Sequence, residues 1–134
     1  MSSPERQNIS SGGPWEDTVG YSRAVRVGNI IAVAGTTAAA PDGTIFGGDD
    51  AYLQSRRCLE IIERALHEAG ATMADVIRTR MFVTDISRWQ EFARAHAEFF
   101  RDVKPAATMV QVAALMDPAM LVEIEVEAVV TTEF

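Results

Sequence analysis

The chain has 134 residues, 48% of them hydrophobic, which is enough to bury the core of one domain, taken as residues 1–134. Its net charge is −7 and its sequence pI is about 4.7, so it lacks the basic surface of a typical nucleic-acid binder, and no nucleic-acid partner is expected. The single cysteine, Cys58, excludes an internal disulfide, and no apolar run approaches the roughly 20 residues of a membrane span, so we expect a cytoplasmic protein without membrane contact.

The N-terminal arm, residues 1–20, is rich in Ser, Gly and Pro and has no apolar signal core. We interpret it as a loosely ordered segment that leads into the domain. Residues 21–35, YSRAVRVGNIIAVAG, predict two strands joined by a Gly-Asn turn, because this dipeptide tolerates the positive φ of a tight hairpin. A loop punctuated by Pro and Gly follows, and Asp49 or Asp50 at its end can cap a helix.

Two amphipathic helices are predicted, with one strand between them. The first helix ends at Gly70 and presents one apolar face: Cys58, Ile61, Ile62, Ala65, Leu66 and Ala69. Residues 75–86, DVIRTRMFVTDI, are β-branched and aromatic, which predicts the strand. Ser87 and Gln90 have the spacing of a capping box for the second helix. Its apolar face includes His96, which we interpret as a core or interface histidine with a hydrogen-bond partner.

Two further strands are predicted at the end of the chain, TMVQVAAL (108–115) and LVEIEVEAVV (121–130). The last one alternates between Val122, Ile124 and Val126 on one side and Glu123, Glu125 and Glu127 on the other. The order β-β-α-β-α-β-β predicts an α+β fold, with one mixed sheet and two helices on one face. Arg78 and Arg80 are the expected partners of the glutamates on the other face. A charged, uncovered sheet face on so short a chain favours an oligomer.

Five stretches together resemble the RidA/YjgF family of reactive intermediate deaminases, also called endoribonuclease L-PSP: VRVGNIIAVAGTTA, DVIRTRMFVTDISRW, EFF, KPAATMVQVAAL and LVEIEVEAV. The resemblance runs from about Tyr21 to Val130 and is most specific at the Pro118 turn before the final strand. It implies a chorismate-mutase-like fold and a homotrimer with ligand sites in the clefts between subunits. It also implies hydrolysis of a small enamine- or imine-type molecule without a metal or an organic cofactor.

The resemblance also assigns site residues. Glu123 matches the glutamate that the family places near the attacking water, and it is the predicted catalytic residue. Tyr21 matches a pocket tyrosine, and Gly35 matches a glycine whose backbone approaches the ligand. Thr36 and Met109 complete this part of the predicted substrate-binding set.

Ala107, which follows Pro-Ala at the start of a strand, is the main departure from the family pattern. The family usually carries there an arginine that holds the substrate carboxylate, so the chain resembles an arginine-lacking subgroup. Loss of a charge-assisted pair costs several kcal/mol of binding, which predicts weak or absent activity on 2-imino acids. Arg80 is the predicted alternative anchor, and Ala107 itself remains in the predicted substrate-binding set.

Structural alternatives remain open for these residues. Glu123 is equally one of three glutamates on an alternating strand, and Tyr21 is equally a strand-edge aromatic. The two histidines, His67 and His96, have no third ligand at metal-binding spacing, so no metal is predicted. Four hypotheses follow: a hydrolase, a non-catalytic small-molecule binding or sensing module favoured by Ala107, an RNA-cleaving protein opposed by the net charge, and a chaperone-like surface.

Overall fold

Six strands form one mixed sheet in the order β1-β2-β3-β6-β4-β5 in the computed structural model, which describes residues 5–131. The strands are β1 (Arg6–Ile9), β2 (Ala24–Val27), β3 (Ile30–Thr36), β4 (Val76–Val83), β5 (Ala106–Gln111) and β6 (Val122–Val129). Only β4 and β5 are parallel; the other neighbouring pairs are antiparallel. The helices are α1 (Glu16–Val19), α2 (Ala51–Glu68) and α3 (Trp89–Phe100). The predicted α+β fold is confirmed, and from β2 onward the strands and helices follow the predicted order.

Helices α2 and α3 cover one face of the sheet, and the core lies between them and the sheet. The predicted alternation of β6 is confirmed, because Val122, Ile124 and Val126 are all at most 2% exposed. Cys58 on α2 is fully buried in this core, as expected of a small apolar residue, and burial raises the pKa of its thiol. Its chemistry is therefore that of a core residue and not of a reactive thiolate.

The start of α2 distinguishes between the two predicted caps. The Asp50 carboxylate accepts a hydrogen bond from the Leu53 backbone N–H at 2.9 Å, so Asp50 is the N-cap. Asp49 instead pairs with Arg88 at 3.1 Å. The predicted Ser87–Gln90 capping box is wrong, because the carboxylate of Asp85 accepts hydrogen bonds from both the backbone N–H and the hydroxyl of Ser87. A short 3₁₀ turn then precedes α3.

Two other expectations need correction. The N-terminal arm contains β1, which extends the sheet by pairing with β2, and also the short helix α1. Residues 1–4 of the arm lie outside the described residues. The second correction concerns β5, which ends at Gln111 and not at residue 115. Within residues 5–131 its one partner strand is β4, and Gln111 already pairs with the last residue of β4, Val83.

The outer face of the sheet is charged, as predicted. Arg80 Nη1 lies 3.2 Å from Glu125 Oε1 and 2.9 Å from Glu127 Oε1, and Arg78 Nε lies 3.7 Å from the same Glu127 oxygen.

On the opposite face of the sheet, His96 Nε2 lies 2.8 Å from Thr79 Oγ1, which confirms a histidine with a polar partner. Within residues 5–131, no helix combines the length and the apolar character needed to cross a membrane.

Candidate functional site

A cavity of about 710 Å³ opens where the N-terminal arm, the end of β3, α2 and the loop before β6 meet. Four of the predicted site residues line it: Tyr21, Gly35, Thr36 and Glu123. The sequence separates these residues widely, and the pairing of β3 with β6 brings them together. The apolar part of the wall comes from the arm, α2 and the last loop: Ile9, Pro14, Trp15, Ile61, Met116 and Met120.

An irregularity between β3 and β6 shapes the floor of the cavity. Val33 is opposite Val126 and Thr36 is opposite Ile124, so two residues of β3 face a single residue of β6. This is the arrangement of a β-bulge, which bends a strand and redirects its side chains. The bulge contains Gly35, and a side chain there would occupy the position of the Glu123 carboxyl group. The glycine therefore provides the space in which the Glu123 carboxyl lies.

Glu123 is an ionisable group whose pKa is changed by this environment. Burial raises the pKa of its carboxyl above the ordinary value, Arg23 opposes that rise, and Glu125 adds to it. Glu123 is thus a partly desolvated carboxyl beside a cavity, with a cation close enough to influence its ionisation. A carboxyl of raised pKa is a stronger base than an exposed one, which suits proton transfer to and from water.

Arg23 is a cavity residue that the sequence analysis missed. The residue is only 7% exposed, and its Nη1 donates to the Gly35 carbonyl oxygen at 3.2 Å and to Thr36 Oγ1 at 3.1 Å. Its guanidinium carbon lies 5.3 Å from the centre of the Tyr21 ring. The available signal was its spacing, because Tyr21 and Arg23 are two residues apart in the segment predicted to form a strand, and alternate residues of a strand share a face. In the structure β2 itself begins at the next residue, Ala24.

Thr36 has a supporting position. It is fully buried, and its hydroxyl donates to the Ala34 carbonyl oxygen at 2.8 Å while accepting the hydrogen bond from Arg23. The hydroxyl is therefore engaged with protein groups on both sides. Thr36 positions the guanidinium of Arg23 and is also one of the residues that line the cavity.

Glu16 holds the N-terminal arm over the cavity. Its carboxylate accepts hydrogen bonds from the Ser10 hydroxyl (2.9 Å), from the Ser11 hydroxyl and backbone N–H (2.6 and 3.2 Å) and from the Gly13 N–H (3.3 Å). Burial raises the pKa of this carboxyl, but the hydrogen bonds from Ser11, Ser10 and Gly13 outweigh burial and lower it overall. The neighbouring Trp15 is one of the cavity walls, so Glu16 determines how the arm covers the site.

Gln54 fixes the wall on the other side. This fully buried side chain donates to the Gly48 and Ala119 carbonyl oxygens at 2.7 and 2.8 Å, and it accepts from the Leu121 N–H at 2.9 Å. It connects α2 to the loop that carries Met116 and Met120 into the cavity wall. Its three hydrogen bonds satisfy backbone groups in two segments, Gly48 before α2 and Ala119 and Leu121 before β6.

The other predicted site residues lie elsewhere in this chain. Ala107 and Met109 are on β5, at the edge of the sheet, and neither lines the cavity. Arg80 is on β4 and is engaged by Glu125 and Glu127 on the outer face. Among residues 5–131, no three His, Cys, Asp or Glu side chains converge in a way that could hold a metal ion.

Comparison with protein families gives one match over most of the chain. Residues 15–130 match the family model described as endoribonuclease L-PSP. A relative from Streptomyces coelicolor, the uncharacterized protein SCO2049, is 37% identical over 128 residues, covering 96% of this chain and 95% of the relative. A RutC family protein from Pyrococcus abyssi, PYRAB12510, is 35% identical, covering 84% of this chain and 87% of that protein.

Solved structures give the same grouping. Rv2704 from Mycobacterium tuberculosis, a member of the YjgF/YER057c/UK114 family, superimposes with a TM-score of 0.86 at 51% identity, covering 94% of this chain and 100% of that chain. The YjgF protein of E. coli superimposes with a TM-score of 0.79 at 26% identity, covering 92% of this chain and 98% of that one. Both comparisons agree with the resemblance found in the sequence and with the predicted fold.

Proposed function

The chain belongs to the endoribonuclease L-PSP family, and from this premise we propose that it is a cofactor-independent hydrolase of a small enamine- or imine-type metabolite. The observation that carries the proposal is the position of Glu123. Its partly buried carboxyl, with a raised pKa, lies beside a cavity that it shares with a buried arginine. This arrangement offers a base for water and a cation for an anionic group of the substrate.

In the proposed reaction, the oxygen of a water molecule adds to the carbon of a protonated imine. The C=N electron pair moves to nitrogen, and one proton of the water passes to the Glu123 carboxylate. Glu123 then returns this proton to the nitrogen, and the C–N bond breaks as the hydroxyl oxygen forms the new C=O bond. The hydroxyl proton leaves on the ammonia as ammonium. An enamine enters the same route after it tautomerises to the imine, so water is the only co-reactant.

We propose further that the working form is a homotrimer with its ligand sites in clefts between subunits, acting in the cytoplasm. The support for a trimer is the family membership together with the position of Ala107 and Met109 on the edge strand β5. In the assembly, these two residues would approach the cavity from the neighbouring subunit. Analytical ultracentrifugation tests this part, and a sedimentation equilibrium that fits a monomer would contradict it. The support for the cytoplasm is the lone, buried, reduced Cys58.

Ammonia release from freshly generated imines tests the proposed activity. The panel contains 2-aminoacrylate, 2-iminopropionate and an imine without a carboxylate. Glu123→Gln removes the base at nearly constant volume and is expected to lower the rate by about 10²-fold or more. Glu127→Gln is the matched control, because Glu127 is an outward-facing glutamate on the same strand that pairs with Arg80, whereas Glu125 itself influences the pKa of Glu123. Equal rates for wild type and Glu123→Gln on every substrate would refute the role of Glu123.

A second candidate is a non-catalytic binding module that uses the same cavity, and Ala107 is the observation that favours it. The same assay with Ala107→Arg separates the two candidates. An inactive wild type, together with activity in Ala107→Arg that Glu123→Gln abolishes, would indicate a binding site that has lost its catalytic anchor. Activity in the wild type supports the hydrolase and shows that a group other than residue 107 holds the substrate.

A further inference from the structure

We infer that residues 10–21 of the chain, a segment we call the flap, open and close over the cavity as one rigid unit, and that Trp15 on the flap is a specificity-determining residue. Trp15 favours ligands with a large apolar substituent. Its role in selecting a substrate rests on the proposed function, whereas the movement of the flap and the binding preference are measurable without turnover.

Glu16 holds the flap together from within. Its carboxylate accepts the hydrogen bonds from residues 10–13 that are described above. Its backbone carbonyl oxygen accepts hydrogen bonds from the N–H groups of Gly20 and Tyr21, at 2.8 and 3.0 Å. One residue therefore joins the beginning of the flap to its end, so the segment keeps its shape when it is displaced.

No polar contact fixes the flap to the rest of the domain. Among residues 5–131, every hydrogen bond of residues 10–21 has both partners within that segment, and no ion pair includes a flap residue. The flap meets the cavity through apolar side chains, those of Pro14, Trp15 and Val19. Because apolar contacts are non-directional, the flap can lift without breaking a hydrogen bond.

The base of the flap is closed and fixed. Asn8 Nδ2, before the flap, donates to Ser22 Oγ, after it, at 2.9 Å. β1 pairs with β2 along its length, and Gln7 Nε2 donates to the Glu68 carbonyl oxygen at 3.1 Å. A compact surface loop whose ends lie close together, packed by its own side chains, is an Ω-loop, a type of loop that is frequently functional. The flap is thus a self-contained unit on a rigid sheet.

The rim of the cavity has exposed apolar side chains on two sides. Val19 of the flap is 65% exposed and Met116 of the loop before β6 is 67% exposed, and both line the cavity. Burial of either side chain adds favourable free energy in proportion to the apolar area removed from water. An apolar ligand in the cavity would therefore favour a more closed position of the flap.

Trp15 is the large aromatic side chain that the flap adds to the apolar wall. It is half-buried, and the same cavity is lined by Ile61 of α2 and Met120 of the last loop. An indole ring presents a large and rigid apolar surface, so a bulky apolar substituent buries more area against it than a methyl group does. Ligands with larger apolar substituents should therefore bind more tightly, and this gain should depend on the ring.

Backbone ¹⁵N relaxation dispersion of the full-length protein tests the movement. A rigid flap predicts one common exchange rate for the amides of the flap and no exchange in β2 or α2. Glu16→Gln should abolish the common rate, because a neutral amide is a weaker acceptor than a carboxylate. Asp17→Asn, at the exposed neighbouring residue, is the matched control and should keep it.

Three outcomes of this measurement would count against the flap. A flat dispersion profile across residues 10–21, or rates that differ from residue to residue in wild type, would overturn the rigid movement. A common rate that survives in Glu16→Gln would overturn the part assigned to Glu16.

NMR titration with two neutral amides tests the preference. 4-Methylpentanamide and propanamide differ only in apolar size and lack a carboxylate, so the comparison does not depend on how an anionic group is held. We expect wild type to bind 4-methylpentanamide at least about fivefold more tightly, and Trp15→Ala to remove most of that preference. Trp89→Ala is the matched control, because Trp89 is half exposed on α3 and does not line the cavity. No binding of either amide, equal affinities in wild type, or an unchanged preference in Trp15→Ala would overturn the assignment.

Two further readouts keep the test decisive. The indole N–H signal of Trp15 in wild type should shift on binding of 4-methylpentanamide, and a signal that stays in place would refute the contact even if Trp15→Ala does not fold. Ammonia release separates this inference from the proposed function. A preference that depends on Trp15, without ammonia release from any imine of the panel, would refute the hydrolase and keep the flap. Ammonia release together with a flat dispersion profile would keep the hydrolase and refute the flap.

Discussion

The Glu123 carboxyl lies in the space that a side chain at residue 35 would occupy, with its carboxyl carbon 2.9 Å from the position of that missing Cβ. The contact joins two strands that are distant in the chain, at the bulge where β3 and β6 change register. It makes the orientation of the predicted base dependent on the absence of a single methyl group.

Gly35→Ala should therefore displace the Glu123 carboxyl. We expect loss of activity and a destabilisation of about 1–3 kcal/mol, the usual cost of inserting a methyl group into an occupied space. Gly35→Ala combined with Glu123→Ala removes the carboxyl that the methyl meets, so thermal unfolding should show a smaller loss from the alanine at residue 35 in that background. Equal losses in both backgrounds would show that the two residues do not interact.

The pH dependence of kcat/KM should reflect the Glu123 carboxyl. Burial raises its pKa above the ordinary value of 4.5, so the base becomes ionised, and the rate rises, at a pH above 4.5. The neighbouring Arg23 lowers the pKa of Glu123. Arg23→Gln should therefore shift the rise of kcat/KM to higher pH. NMR titration of the Glu123 carboxyl carbon gives the same pKa without turnover. If kcat/KM rises at the same pH in Arg23→Gln as in wild type, the electrostatic effect of Arg23 on Glu123 is contradicted.

Glu16→Gln should loosen the N-terminal arm. The pKa of Glu16 is lowered in the folded protein, so its ionisation stabilises the fold above about pH 4.5, and this contribution is lost as pH falls through the lowered value. We expect wild type to lose more stability than Glu16→Gln on acidification. Trp15 fluorescence in a Trp89→Phe background reports the arm, because Trp89 is half exposed and would mask the signal. Identical Trp15 spectra at pH 7 would argue against a role for Glu16 in holding the arm.

Gln54→Leu should destabilise the protein by at least about 2 kcal/mol, because it leaves two backbone carbonyl oxygens and one N–H without their buried partner. Denaturant unfolding measures this loss. Gln90→Leu makes the same chemical change at an exposed position of α3 and should alter stability by no more than about 0.5 kcal/mol. Equal effects of the two substitutions would contradict the bridging role.

Local patterns predicted much of the fold. The alternation of β6 identified the outward-facing glutamates and the arginines that pair with them, because the side chains of a strand alternate between its two faces whatever surrounds it. The cap at Asp50 and the burial of Cys58 follow from equally short-range rules. The strand β1 was missed because its residues, RQNI, lack a β-branched or alternating pattern; its pairing uses backbone groups along the edge of β2.

The sequence by itself determined the α+β fold and the four candidate residues Tyr21, Gly35, Thr36 and Glu123, because strand periodicity and family-specific stretches are properties of neighbouring residues. Only the tertiary structure decided which charges share the cavity. Arg23 reaches Gly35 and Thr36, whereas Arg80 is held by Glu125 and Glu127 on the outer face. That difference depends on strand pairing, on the bulge at Gly35 and on the cover given by α2 and the arm. These are contacts between residues far apart in the sequence. They determine how deeply a charged side chain is buried and how far it lies from other charges, and no local sequence pattern contains that information.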